Sequence, residues 1–176
     1  EPTLPVANLE NFVFPNGTTS ISTYTNTNVN IQVNNGTLPD GYSYWEYNSS
    51  RYGMIGVSTS QGLGYSSNAQ TSVYCNNGRV YGYGADTGVS CDESARMSIL
   101  VKQPEGIVWY AKNGAWLRGA TSTSIQSSSG FVADYADGST LIPQAGSGSS
   151  GGSSATLIFD PEQWLHYDVL MSWLNN

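Results

Sequence analysis

Asp134 and Asp137 flank a turn in Ala133-Asp-Tyr-Ala-Asp-Gly138, and Asp92 and Glu93 adjoin each other in a second acidic stretch. Paired carboxylates of this kind raise the question of glycan hydrolysis, which needs two acids on either side of the scissile bond. Neighbouring residues of a strand point to opposite faces, so Asp92 and Glu93 cannot act as such a pair. Loop solvation accounts for Asp134 and Asp137 without chemistry. His166, the one histidine, lies in an apolar C-terminal stretch with no serine nucleophile motif beside it, which suits a core or capping role. Asp86, Asp134 and Asp137 could offer oxygen to calcium, but no regular Asp-x-Asp-x-Asp-Gly loop is present. Two cysteines and one histidine make no convincing zinc site, and the glycine-rich Gly82-Tyr-Gly84 and Gly146-Ser-Gly148 lack the lysine and helix start of a phosphate cradle. The expectation is a protein with no catalytic residue, no metal and no cofactor.

Recognition by aromatic side chains is the positive candidate. Tyr65, Tyr74, Tyr81, Tyr83 and Trp116 fall in or beside turns, where amphipathic rings can stack on sugars or anchor a protein partner at low entropic cost. Tyr65, Tyr81, Tyr83 and Trp116 are the candidate ligand-binding set, against the alternative that about half of such rings pack into a sheet. Cys75 and Cys91 enclose a Gly- and Tyr-rich stretch; a disulfide there would stabilise by about 3 kcal/mol, and two buried thiols are the alternative. A bridge would imply an oxidising or extracellular setting. Three Asn-x-Ser/Thr matches, at Asn16, Asn35 and Asn48, are what chance supplies in so polar a chain.

The elements that must position these residues read as strands. Only 11% of the chain is charged, while Gly, Ser, Thr and Asn are abundant, which suits short strands joined by polar turns. In Ile107-Val-Trp-Tyr-Ala-Lys-Asn-Gly-Ala-Trp-Leu117, large residues alternate into an Asn-Gly pair and out again, the pattern of a hairpin with a type I′ turn. Segments 20–24 and 29–33 also alternate. In Tyr42-Ser-Tyr-Trp-Glu-Tyr47, Tyr42, Tyr44 and Glu46 share one face and Trp45 and Tyr47 the other. Met54–Ser58 and Met97–Val101 are short apolar runs expected in a core. The Ser/Thr/Gly stretches 121–130 and 146–154 read as mobile surface loops within the domain. After Asp160-Pro-Glu-Gln163, a helix start, Trp164, Tyr167, Met171 and Leu174 fall on one face and Leu165, Val169 and Trp173 on another. The expected organisation is one β-sandwich over 1–160 and an apolar helical segment over 161–176, packed on its own domain or on a partner. Trp164, Leu165 and Trp173 are its candidate assembly contacts.

Arranged in order, Tyr42–Tyr47, Gly53–Ser60, Asn77-Gly-Arg-Val-Tyr81, the hairpin 107–117, Thr140–Pro143 and Ala155–Phe159 resemble a SPRY (B30.2-like) domain, more closely the versions in bacteriophage and bacterial proteins. The likeness spans roughly residues 40 to 160 and is strongest from Asn77 to Leu117. Ser90-Cys-Asp-Glu93 departs from the family's Gly-Asp before the buried strand. The resemblance implies an all-β, antiparallel two-sheet sandwich of lectin-like jelly-roll type with a short C-terminal helix, presenting loops at one end as a non-catalytic binding module.

A formal charge of −7 and scattered basic residues argue against nucleic acid, and no apolar window is long enough for a spanning helix. The function expected is a virion surface component of a phage, such as a tail-fibre tip, capsid fibre or decoration protein, meeting host glycan or receptor or neighbouring subunits, with a homo-oligomer an open option. A secreted or cell-surface lectin-like adhesion domain is the alternative, and a glycoside hydrolase comes third. The expected place is the virion surface or outside the cell. Glu1 in place of Met leaves a processed terminus and an excised domain both open.

Overall fold

Strand formation follows the period-two pattern, and the computed structural model describes residues 20–21, 30–32, 37–59, 68–136, 138–147 and 155–175. In chain order the strands are β1 (Ser20–Ile21), β2 (Asn30–Gln32), β3 (Gly41–Ser49), β4 (Gly53–Ser58), β5 (Gln70–Tyr74), β6 (Val80–Gly82), β7 (Met97–Gln103), β8 (Ile107–Lys112), β9 (Ala115–Trp116), β10 (Ala133–Asp134), β11 (Ile142–Ser147) and β12 (Ala155–Ile158). Among the described residues, seven strands form a first sheet in the order β1-β12-β3-β7-β8-β10, with β9 beside β8, and five form a second in the order β2-β11-β4-β5-β6. All pairings are antiparallel. The fold is therefore an all-β, two-sheet sandwich.

Alternation in β3 assigns its residues to two different cores. Trp45 and Tyr47 turn inward to meet Ile55, Val57 and Val73 of the second sheet and Phe159, while Tyr44 turns outward. Fully burying side chains of this size contributes about 1.5–3 kcal/mol each. Gly56 lies in the middle of β4, where a Cβ would collide with the Thr71 carbonyl and stand 2.7 Å from the Tyr110 hydroxyl. That hydroxyl donates to the Ile55 carbonyl at 2.7 Å and ties the sheets together. Cys75 and Cys91 are joined by a disulfide with their Cα atoms 4.9 Å apart, and both are buried in this inner core.

The hairpin at Asn113-Gly114 has positive φ at both residues, 50° and 82°, as a type I′ turn requires. Its second strand is only two residues long. Strands 20–24 and 29–33 are described only at 20–21 and 30–32. Asn16, Asn35 and the greater part of 146–154 lie outside the described residues, whereas Asn48 is committed to the Ala95 carbonyl and to Arg96.

Three local expectations are corrected. The serine-rich stretch after Arg118 is not a plain loop: Thr121 and Ser124 form a reciprocal capping box, and α1 (Ser122–Gln126) carries Ile125 fully buried against the first sheet. Asp92 and Glu93 are not strand residues; both have positive φ, 57° and 58°, in a turn. Lys112 and Ser90 bond the Asp92 carboxylate and hold that turn, and these hydrogen bonds, Lys112 first, keep the carboxyl below its usual range.

The C-terminal stretch is not one continuous helix. Asp160 caps a 3-10 turn, Pro161–Gln163, then the chain extends at Trp164 before α2 (Tyr167–Leu170) and a second 3-10 turn, Ser172–Asn175. This segment covers the outer face of the first sheet. Tyr167, Leu170 and Met171 are buried there with Tyr44, Leu100 and Trp109, and Trp164, Trp173 and Leu174 pack at the edge. Tyr44 meets Trp164 and Tyr167 edge-on at 4.7 and 5.2 Å.

Glu46 anchors the segment from beneath. Its carboxylate accepts from Tyr44 Oη at 2.6 Å, Arg96 Nη1 at 2.8 Å, and the backbone N–H groups of Leu165 and His166 at 2.9 Å each. Burial alone would raise its pKa, but the hydrogen bonds from Tyr44, the Leu165 N–H, Arg96 and the His166 N–H outweigh burial and lower it. Arg96 also donates to the Gln163 carbonyl at 3.1 Å, so one ion pair fixes the start of the whole layer.

Candidate functional site

The outer face of the second sheet has a different character. Gln144 Nε2 donates to Gln70 Oε1 and Ser72 Oγ, at 2.6 Å each, in a buried polar row across β11 and β5. Ser72 stands opposite Tyr81 of β6, and from this point the row turns aromatic. Tyr74, the last residue of β5, meets Tyr81 edge-on at 5.6 Å and Tyr52 in a stack at 6.4 Å. All three rings are half-buried. Tyr52 arrives from the turn that enters β4, closed by the Gly53 N–H on the Ser50 carbonyl.

Each end of this tyrosine ladder carries an arginine. The Arg51 guanidinium lies 5.5 Å over the Tyr52 ring and that of Arg79 lies 5.6 Å over Tyr81. Arg51 Nε also donates to Asn76 Oδ1 at 2.8 Å, while the Asn77 side chain accepts from the Arg79 N–H at 2.9 Å. Gly78, at φ 74°, lets the intervening turn pass against Thr87 and Val89, where any Cβ would clash. Beside Arg51 opens a cleft of about 370 Å³ lined by Asn76, Ser90, Asp92 and Glu93, with Cys75 also on its wall.

Charge distinguishes this place from the rest of the molecule. The chain has six lysines and arginines. Arg96, Lys102 and Lys112 are paired with Glu46, Glu105 and Asp92. Arg118 donates to the carbonyls of Phe131 and Asp86. Arg51 and Arg79 have no carboxylate partner among the described residues, and both stand on the tyrosine ladder. A guanidinium over a ring is partly desolvated on one side and keeps its N–H edge for an anion. The arrangement can therefore seat a flat or apolar group on the rings and a carboxylate or similar anion at either end.

The sequence candidates do not converge on one site. Tyr81 belongs to the ladder. Tyr83, 43% exposed, donates from its hydroxyl to the Asp134 carbonyl at 2.8 Å and leans on Tyr135 at 4.9 Å, in a shallow cleft with Asn68 at the other end of the sandwich. Trp116 is half-buried against the outer aromatic layer of the first sheet. Tyr65 and Asp137 lie outside the described residues. Of the C-terminal candidates, Trp164 and Trp173 turn toward their own sheet, with Trp164 Nε1 donating to the Ile158 carbonyl, whereas Leu165 is 64% exposed. His166 presents its backbone N–H to Glu46, and its ring sits against Gly114 at the hairpin tip. Sequence reasoning missed Arg51, Tyr52 and Arg79. The available signal was an arginine beside or one residue from a tyrosine, twice, in a chain so poor in cations. Among the described residues no group of three or more His, Cys, Asp or Glu could hold a metal ion. No described helix is long and apolar enough to cross a membrane.

No protein-family model matches this chain, and no curated protein sequence matches it. Solved structures do. The SPRY domain of human HERC1 is similar over 76% of this chain and 79% of its own, with a TM-score of 0.54 at 13% sequence identity. The PSpry domain of TRIM65 is similar over 74% of this chain and 71% of its own, with a TM-score of 0.50 at 13% identity. Within the class of antiparallel sandwiches, this chain has a SPRY-like fold.

Proposed function

We propose that this chain is a non-catalytic binding module that engages an anionic partner through Arg51, Tyr52, Tyr74, Arg79 and Tyr81. The observation that carries the reading is that, of the three arginines without a carboxylate partner among the described residues, Arg118 is held by two backbone carbonyls and the other two, Arg51 and Arg79, end the same tyrosine ladder. Tyrosine and arginine are the residue types that concentrate binding energy at interfaces. Two acids have structural duties: buried Glu46 anchors the C-terminal layer and exposed Asp92 holds a turn. A one-fold, many-functions architecture gives the ligand no name, so the site chemistry must supply it.

The setting proposed is a virion surface of bacteriophage type or another extracellular surface, where the module meets host-surface glycan or a neighbouring subunit. The Cys75–Cys91 bridge supports an oxidising location, and the surface low in lysine and rich in Ser, Thr and Gly accords with it. Surface plasmon resonance against carboxylated glycans and their neutral counterparts tests the reading. Binding to the carboxylated forms should fall at least about ten-fold in an Arg51→Ala, Arg79→Ala double variant and stay unchanged in Asp134→Asn. Equal binding of the neutral forms, or indifference to the double variant, removes the platform from the function.

A further inference from the structure

Two surfaces of this chain carry complementary chemistry. The tyrosine ladder offers aromatic faces and two guanidiniums. The C-terminal segment offers the reverse: Leu165 and Val169, 64% and 69% exposed, are the two most exposed large apolar side chains among the described residues. Exposed Asp160, Glu162 and Asp168 lie around them, and none of the three is in an ion pair among the described residues. Glu162, Leu165 and Asp168 line one shallow cleft with Trp164 and Tyr167. Arg51 and Arg79 are thus without a carboxylate partner, although Asp92 and Glu93 line the cleft beside Arg51, and the three acids of the patch are without a cation partner, among the described residues.

Their placement prevents one chain from satisfying both. The C-terminal segment lies on the outer face of the first sheet, and the ladder lies on the outer face of the second. The sheets are packed back to back, so the two surfaces face away from each other.

The geometry points to a head-to-tail contact between copies of this chain, with the acidic apolar patch of one copy seated on the tyrosine and arginine platform of the next. This deepens the platform reading, on which it rests, by naming a second copy as the partner. Leu165 and Val169 lose water against the rings, and the carboxylates reach guanidinium edges that already have one face covered. Such a contact joins unlike surfaces, so each added copy leaves one platform and one patch open, and growth proceeds to a ring or a filament. The like net charge of −7 on every copy opposes approach, so the contact is modest and populated at high local concentration.

Sedimentation velocity over a concentration series tests this with the full chain and two charge-reversal variants. Arg51→Glu with Arg79→Glu spoils the platform, and Glu162→Arg with Asp168→Arg spoils the patch; Asp160 is left intact because it caps the first turn. The unaltered chain should grow past the dimer. Each variant alone should associate at least about ten-fold more weakly, with circular dichroism unchanged. An equimolar mixture of the two variants should recover association, because it pairs a sound platform with a sound patch and a reversed platform with a reversed patch. A chain that stays monomeric throughout, a mixture that does not recover association, or growth that survives either reversal overturns the proposal. Monomers that still bind a carboxylated glycan, and lose it in Arg51→Glu with Arg79→Glu, would keep the platform while removing the second copy as its partner.

Discussion

The outer faces of the two sheets solve the same problem differently. A sheet face that meets water on one side is ordinarily polar, yet the first sheet presents Tyr44, Leu100 and Trp109 outward and covers them with its own C-terminal segment. The second sheet carries the Gln70–Ser72–Gln144 row and grades into half-buried tyrosines under two arginines. The first face is closed by contacts within the chain, and Glu46, its one buried carboxylate among the described residues, is spent on closure. Arg79, and Arg51 beyond the Nε bond to Asn76, have no carboxylate partner at the second face among the described residues. On the proposed reading, the state of its charges rather than its position in the sandwich decides which face binds.

Removing the anchor should break that contrast most severely. Glu46→Ala leaves the N–H groups of Leu165 and His166 without their acceptor and Arg96 with only Asn48 and the Gln163 carbonyl, and an unsatisfied buried donor costs about 1–3 kcal/mol. Urea denaturation should show this, with faster hydrogen exchange at Leu165 and His166. Opening the disulfide acts on the second sheet's side of the comparison. Cys75→Ser with Cys91→Ser should cost about 3 kcal/mol on the chain-entropy estimate, and should weaken binding at the platform because Tyr74 and Arg79 flank the bridged turn.

Acid should reproduce part of the Glu46 effect without mutation. The folded pKa of Glu46 lies below its usual value, so its stabilisation is complete above the unfolded carboxylate value of about 4.3 and is lost as pH falls through the folded value. Thermal denaturation should show an acid decline of the unaltered chain that is blunted in Glu46→Gln. At the smallest end, Leu165→Ser should change stability by no more than about 0.5 kcal/mol, as exposed positions do, while reducing any self-association.

Period-two alternation and turn chemistry were legible where they act locally. Asn113-Gly114 needs no neighbour to prefer its turn, and β3 divides its residues between faces by parity alone. The helix α1 was not legible, because its single apolar residue, Ile125, gives no periodicity and its capping box is written in the serines and threonines that also signal loops. The spacing of Trp164, Tyr167, Met171 and Leu174 does select residues that face the sheet, although the backbone joining them is interrupted. Glu46 and its amide donors lie 119 and 120 residues apart, and the rings of the ladder come from three separate turns and strands. Such sites exist only after the sheets have paired, so no local window contains them.

Glu46 grips main-chain amides, and a main-chain amide is the same whatever side chain it carries. The attachment of the C-terminal layer is therefore indifferent to the residue at position 165, with proline, which lacks the N–H, as the exception. A surface residue with so little bearing on its own anchorage can be exchanged for another without loosening the strap beneath it. This exposed point of the segment is thus a replaceable face on a fixed mount, able to change what the molecule touches while leaving how it folds intact.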